Sequence, residues 1–295
     1  MSKKQLIFII VSLAVVLVVV LLFCGVQYER YLRIYKAVMT ATNNPEELLF
    51  LQPGTPTANP ASLLIHGVYG AQQFAKKRTS ELTLPPPMVP VLLTDDAGIV
   101  IATDETTPSL LYILFRGTLF DYEWKKDFDF IQTPAVTGPR VGMVHKGFQN
   151  MFLSYYPYIL KCMTQYQPSE VHVAGHSLGA ALSLLTTYSL ANKGLKMSCF
   201  TFAPPKLGNA EFAAAFSSLP NVSLTQYVNE ADVVPFIPLS VMPNPWVPKK
   251  PLYYEHIQQD SMVLFSVNNK SWQNNHSLLL HMTVVDQQTP VKTPA

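Results

Sequence analysis

The sequence carries little charge and almost no cysteine. Asp, Glu, Lys and Arg make up 14% of its 295 residues, so it lacks the solvated composition of a disordered chain. The 21 basic and 19 acidic residues nearly balance, leaving a net charge of +2. No basic stripe is present for a nucleic-acid partner. Lys76, Lys77 and Arg78 form one small cluster, which reads as a solvated face. The three cysteines are Cys24, Cys162 and Cys199. None stands in a CxxC or Cys/His ligand spacing, which excludes a zinc-finger type of site and a disulfide framework. There is no internal repeat and no heptad run. No metal or cofactor is expected.

What is abundant is apolar character, at 48% of residues, and much of it is concentrated at the start. Leu6 to Val26 is nearly all Ile, Leu, Val and Phe, broken by Ser12, Cys24 and Gly25. As a helix this run spans about 31 Å, close to the thickness of one hydrocarbon core. A cleaved signal peptide would have a shorter apolar region, about 7–15 residues, and a small-residue cleavage site. Phe23-Cys24-Gly25 is a poor one, and the bulk of Phe23 also weighs against a lipid-attachment cysteine at Cys24. Residues 1–26 are therefore expected to be a membrane anchor, a transmembrane helix of signal-anchor type. Lys3 and Lys4 on one side nearly balance Arg30, Arg33 and Lys36 on the other. Three glycosylation triplets, at Asn221, Asn269 and Asn275, favour placing the rest of the chain outside the cytoplasm or in a lumen.

Residues 27–60 read as a juxtamembrane helix, Glu29 to Met39, followed by a Pro/Asn-rich linker from Asn44. Residues 61–295 read as one domain. A helix is expected over Ser62 to Arg78. Leu84 to Pro90 holds four prolines, and no extended regular element is expected there. Strands are expected at Ile99–Thr103, Leu110–Phe115, Glu170–Ala174, Met197–Phe202 and Leu224–Asn229. Helices are expected at Lys146–Tyr166, Ala180–Lys193 (closed by Gly194) and Ala210–Ser218. Strands alternating with helices predict an α/β fold, a mostly parallel central sheet with helices on both faces.

The chemistry centres on GHSLG, residues 175–179. In this G-x-S-x-G elbow the serine sits on a sharp strand-to-helix turn, which lifts its hydroxyl clear of the backbone. Gly175 and Gly179 permit that turn, and the helix that follows aims its first N–H groups at the site. The bare pattern arises by chance about 0.1 times in a chain of this length. Its context, an apolar strand before and an Ala/Leu-rich helix after, is what makes Ser177 the expected nucleophile. An acid and then a base must follow in chain order. Asp232 in VNEADVVPFIP comes just after a strand and is the expected acid, with Glu230 as the fallback. Of the downstream histidines, His256 lies in an apparent strand and reads as structural. His276 precedes an apolar helix and is the expected base, and His281, further along that helix, reads as a packing residue. A second oxyanion donor should come from an earlier strand end. FRGT fits, so the N–H groups of Thr118 and Leu178 are expected to form the oxyanion hole, each donor contributing about 3–4 kcal/mol. Arg116 reads as a loop anchor.

These segments together resemble the class 3 lipase family of fungal triacylglycerol-lipase-like α/β hydrolases, from about Leu92 to Met282. FRGTLFDYEWKKDF is similar to the family's oxyanion strand and lid, with Trp124 and Asp127 in place. VHKGFQNMF, GHSLGAALSLL, TFAPPKLGNAEFA and VNEADVVPFIP are similar to its successive motifs. The resemblance implies an α/β-hydrolase fold and a Ser177–Asp232–His276 triad with Thr118 and Leu178 as oxyanion donors. It also implies a lid at Leu119–Trp124 and a structural role for His145. Lys206 stands where the family usually has Arg, and His281 near a usual Tyr.

The implied reaction is two-step acyl transfer on a lipid ester at a membrane or lipid interface, with acylglycerols foremost. A phospholipase or galactolipase, or an acyltransferase, would share every motif. A non-catalytic membrane protein would not need the three triad residues.

Overall fold

The computed structural model describes residues 53–77, 79–118, 130–191, 194–244, 247, 249–257, 261–268 and 271–288. The expected membrane anchor (1–26), the juxtamembrane helix and most of the linker, and the expected lid (Leu119–Trp124) lie outside the described residues. Among the described residues no helix is long and apolar enough to cross a membrane.

The first element is helix α1, Pro60–Ala75. Asn59 caps it by accepting from the Ala61 N–H, and Pro60 occupies the position where a missing N–H costs nothing. Three strands follow: β1 Met88–Leu93, β2 Ile99–Asp104 and β3 Leu110–Phe115. A small hairpin, β4 Gln132–Pro134 with β5 Met143–His145, leads into helix α2, Lys146–Tyr166. Strand β6, Glu170–His176, is joined directly to helix α3, Leu178–Leu190. Then come β7 Lys196–Phe202, α4 Ala210–Ser217 and β8 Val222–Asn229. A second small hairpin pairs β9 Val241–Met242 with β10 Leu252–Tyr253. The described chain closes with β11 Ser261–Phe265, the one-turn helix α5 Trp272–Asn275 and α6 Leu278–Gln287.

Seven strands form the main sheet, in the order β1-β2-β3-β6-β7-β8-β11. The pairs β1/β2 and β2/β3 are antiparallel, and every later pair is parallel. Helices cover both faces, which is why β3 reads LLYILF and is buried at every position. Leu111, Ile113 and Phe115 point into one core with α2, α3 and α4, while Tyr112 and Leu114 point into the other with α1 and α6. Helix α3 is buried along its whole length, so its apolar character runs all round rather than along one stripe.

Three expectations need correction. Pro90 lies inside β1, because β1 is an edge strand where a missing donor is tolerated, and the register slips between Pro90 and Leu92. His256 is not in a strand: β10 ends at Tyr253, and among the described residues between β10 and β11 there is only an isolated bridge from Gly208 to Glu255. Strand β11 was not expected at all. Its outward residues Met262 and Leu264 are exposed on the sheet edge, so SMVLF carries no polar/apolar alternation to mark it.

Candidate active site

Thr118, Ser177, Leu178 and Asp232 lie just beyond the carboxyl ends of β3, β6 and β8, where open α/β sheets place ligands, and His276 lies between α5 and α6. Strands β3 and β6 are register neighbours, with Phe115 opposite Gly175, so the chain leaving β3 at Gly117 runs beside the chain leaving β6 at Ser177. An added Cβ on Gly117 would lie 3.0 Å from His176 Nδ1 and 3.7 Å from Ser177 Cβ.

Ser177 adopts φ 57° and ψ −122°, a strained conformation for a residue with a side chain. The turn is held by the Ser177 N–H donating to Phe202 O at 2.9 Å. It also depends on two glycines. A Cβ on Gly175 would collide with the Gly179 carbonyl, and one on Gly179 would lie 2.5 Å from the carbonyl oxygens of Phe115 and Arg116. Both are backbone obstacles that no rotamer change relieves. Gly179→Ala is therefore expected to force α3 away from β3 at a cost of about 3 kcal/mol or more. A thermal melt of the variant measures this, and an unchanged midpoint would contradict it.

The structure brings the three expected triad residues into one line. His276 Nε2 lies 2.8 Å from Ser177 Oγ, and His276 Nδ1 lies 2.7 Å from Asp232 Oδ2. Asp232 is buried in the turn after β8, where its other oxygen accepts from the Val234 N–H at 2.9 Å. His276 caps the end of α5 and precedes α6, the loop-before-helix position expected for it. Thr118 follows β3 and is half-buried; among the described residues its Oγ1 has no hydrogen-bond partner. Leu178 opens α3, so its N–H has no acceptor within the helix. The fallback acid Glu230 is exposed and not part of this line. His281 lies on α6, fully buried, with Nδ1 donating to Ser277 O at 3.0 Å and its ring edge-on to Phe265.

Three supporting residues escape sequence reasoning. Asn229, at the end of β8, donates to Val267 O at 2.9 Å and Asn275 O at 3.0 Å and accepts from the Val267 N–H at 3.0 Å. Asn275 donates to Ala231 O at 3.1 Å. Together they tie the Asp232 turn to the loop bearing His276. His176 donates from Nε2 to the backbone carbonyl of His276 at 2.8 Å, so the residue before the serine holds the backbone of the residue expected to be its base. The only signal was position: each adjoins or lies close to an expected site residue.

Burial pushes several histidines toward the neutral form. Burial holds the His176 imidazole well below its ordinary value, helped by His276 and His281 beside it. The His281 imidazole is pushed down to about 4 and that of His145 to about 3, both chiefly by burial. In the unfolded chain these groups titrate near about 6.5. Because the folded values lie below the unfolded ones, their contribution is fully present above about pH 6.5 and is lost as pH falls toward 4. The melting temperature is expected to fall steadily from pH 7 to pH 4.5. A flat profile would show that these histidines are charged in the folded chain.

Comparison with known proteins matches this architecture. The model of the family described as "Lipase (class 3)" matches residues 112–242. A relative from Oryza sativa, named phospholipase A1-II 1, is 30% identical over 167 residues, covering 46% of this chain and 42% of that protein. One from Arabidopsis thaliana, phospholipase A1-IIalpha, is 27% identical over 209 residues, covering 55% of this chain and 49% of that protein. The chain thus spans less than half the length of these relatives. A fungal lipase solved as an inhibitor complex superposes with a TM-score of 0.50 at 23% identity, over 61% of this chain and 73% of that one. It shares the α/β-hydrolase fold.

Proposed function

Because the chain belongs to the class 3 lipase family, we propose that it is a carboxylic ester hydrolase acting on lipids, with Ser177 as nucleophile. The observation that carries this reading is the continuous relay from Asp232 through His276 to Ser177, at 2.7 and 2.8 Å, ending on a strained serine. His276 takes the Ser177 proton as Oγ attacks the ester carbonyl. Asp232 fixes the imidazole tautomer and stabilises its charge. The N–H groups of Thr118 and Leu178 receive the oxyanion. His276 then protonates the departing alcohol, and water activated by the same imidazole cleaves the acyl-enzyme.

Acylglycerols are the substrates the sequence motifs imply. A second reading, phospholipid hydrolysis, is favoured by the names of the relatives, several of which are phospholipases A1. The apolar run at 6–26 supports attachment of the chain to the membrane that holds such substrates, with residues 61–295 as a catalytic domain on the extracytoplasmic or lumenal side. The test is release of labelled fatty acid by the full chain in mixed micelles of diacylglycerol, triacylglycerol or phosphatidylcholine, with Ser177→Ala as control. Ser177-dependent release from any of these supports the reading, and the preferred lipid decides between its two forms. Absence of release from all three, with the protein folded, would contradict it. Glycosidase sensitivity of the full chain expressed in eukaryotic cells tests its side of the membrane.

A further inference from the structure

Arg116 is a buried cation next to the expected oxyanion turn, and its contacts bear on the direction of one donor. Its Nη1 donates to the carbonyl of Gly117 at 2.9 Å, and its Nε donates to the carbonyl of Asp96 at 3.1 Å. Asp96 belongs to the turn between β1 and β2, where its carboxylate accepts from Tyr155 Oη at 2.5 Å, Thr94 Oγ1 at 2.7 Å and the Gly98 N–H at 2.9 Å. That carboxylate also lies 3.7 Å from Arg116 Nη2. The guanidinium therefore spans from a well-braced turn to the carbonyl of Gly117.

The carbonyl of Gly117 and the N–H of Thr118 are opposite ends of one planar trans peptide unit. Whatever holds the oxygen sets where the hydrogen points. Gly117 has no side chain to restrict that peptide, and its Cα face is turned to His176 and Ser177. We propose that Arg116 is a positioning residue, which grips the Gly117 carbonyl and thereby aims the Thr118 N–H at the oxyanion that forms over Ser177. The inference rests on the esterase reading above. The charge adds to the geometry: a cation at the oxygen end polarises the amide and strengthens its N–H as a donor. The planar fork matters too. Arg can hold the Asp96 and Gly117 carbonyls together through separate nitrogens, whereas Lys presents a single nitrogen.

The test compares the full chain with Arg116→Lys and Arg116→Met on a soluble short-chain p-nitrophenyl ester, and titrates each with an alkylboronic acid that forms a tetrahedral adduct on the serine. The expected result is a fall in kcat of about 10-fold for Arg116→Lys and about 100-fold for Arg116→Met, with KM within about twofold. The boronic acid should weaken by the same factors as kcat falls. A merely structural arginine would lower the melting temperature without coupling kcat to boronate affinity. Unchanged kcat in both folded variants, or a loss lying wholly in KM, would overturn the inference while leaving the esterase reading intact. If Arg116→Met does not fold, full kcat in Arg116→Lys overturns it. Absence of Ser177-dependent turnover in the unmodified chain would overturn both.

Discussion

Ser177→Ala is expected to lower kcat for an ester substrate by about a millionfold, and adding His276→Ala to it is expected to cost almost nothing more. The reason is geometric. His276 Nε2 faces Ser177 Oγ at 2.8 Å, and in the proposed mechanism the imidazole's role in the first step is to receive that one proton. Once the hydroxyl is gone, the imidazole has no proton to take, and the two losses overlap instead of adding. The residual rate would come from the oxyanion donors and substrate binding alone. The ordinary measurement is kcat for the two single variants and the double variant on one ester. A double variant slower than either single by a further thousandfold would mean that the two side chains act in separate steps.

Asp232→Asn is the second large effect, a fall of about ten-thousandfold in kcat with KM little changed. Asp232 is buried with its Oδ2 2.7 Å from His276 Nδ1, and in the proposed mechanism the carboxylate fixes the tautomer that leaves Nε2 free to receive a proton. An asparagine presents either an oxygen or an NH2 there. If the NH2 turns to Nδ1, the imidazole must place its proton on Nε2, facing the serine, and it can no longer act as base. The fold should survive, because Oδ1 of Asn can still accept from the Val234 N–H as Asp232 does at 2.9 Å. Measuring kcat and melting temperature together separates the two effects. A retained kcat would show that some other group orients His276.

Much of the fold could be read from the sequence because local pattern and burial agree. LLYILF and EVHVA are short strand-like runs, too short for helices, and the alternation of such runs with helical stretches indicates a parallel sheet covered on both sides. Lys146–Tyr166 forms the expected helix in spite of Pro157, because burial of Phe148, Phe152, Ile159 and Cys162 along one side outweighs one lost hydrogen bond. Elements were missed where the long-range setting decides. Whether Pro90 can sit in a strand depends on β1 being at an edge, and β11 exists because β8 offers it a free side. Neither fact is local. The site divides in the same way. The grouping of Ser177, Asp232 and His276 was legible because a serine, acid and base expected in that chain order fall in loops that the fold brings together. Asn229, Asn275 and His176 were not, because their roles consist of bonds to backbone groups 38, 44, 46 and 100 residues away. The contact of Arg116 with Gly117 is local, but its significance appears only once Asp96 and Ser177 are in place.

The most direct test of the central claim is covalent capture of the nucleophile. The full chain would be treated with an alkyl fluorophosphonate and examined by intact mass and peptide mapping, alongside His276→Ala. One adduct per chain, located on Ser177 and strongly slowed in His276→Ala, is the predicted result. A folded chain that stays unlabelled, or one labelled at another residue, would contradict the assignment of Ser177 as the activated nucleophile.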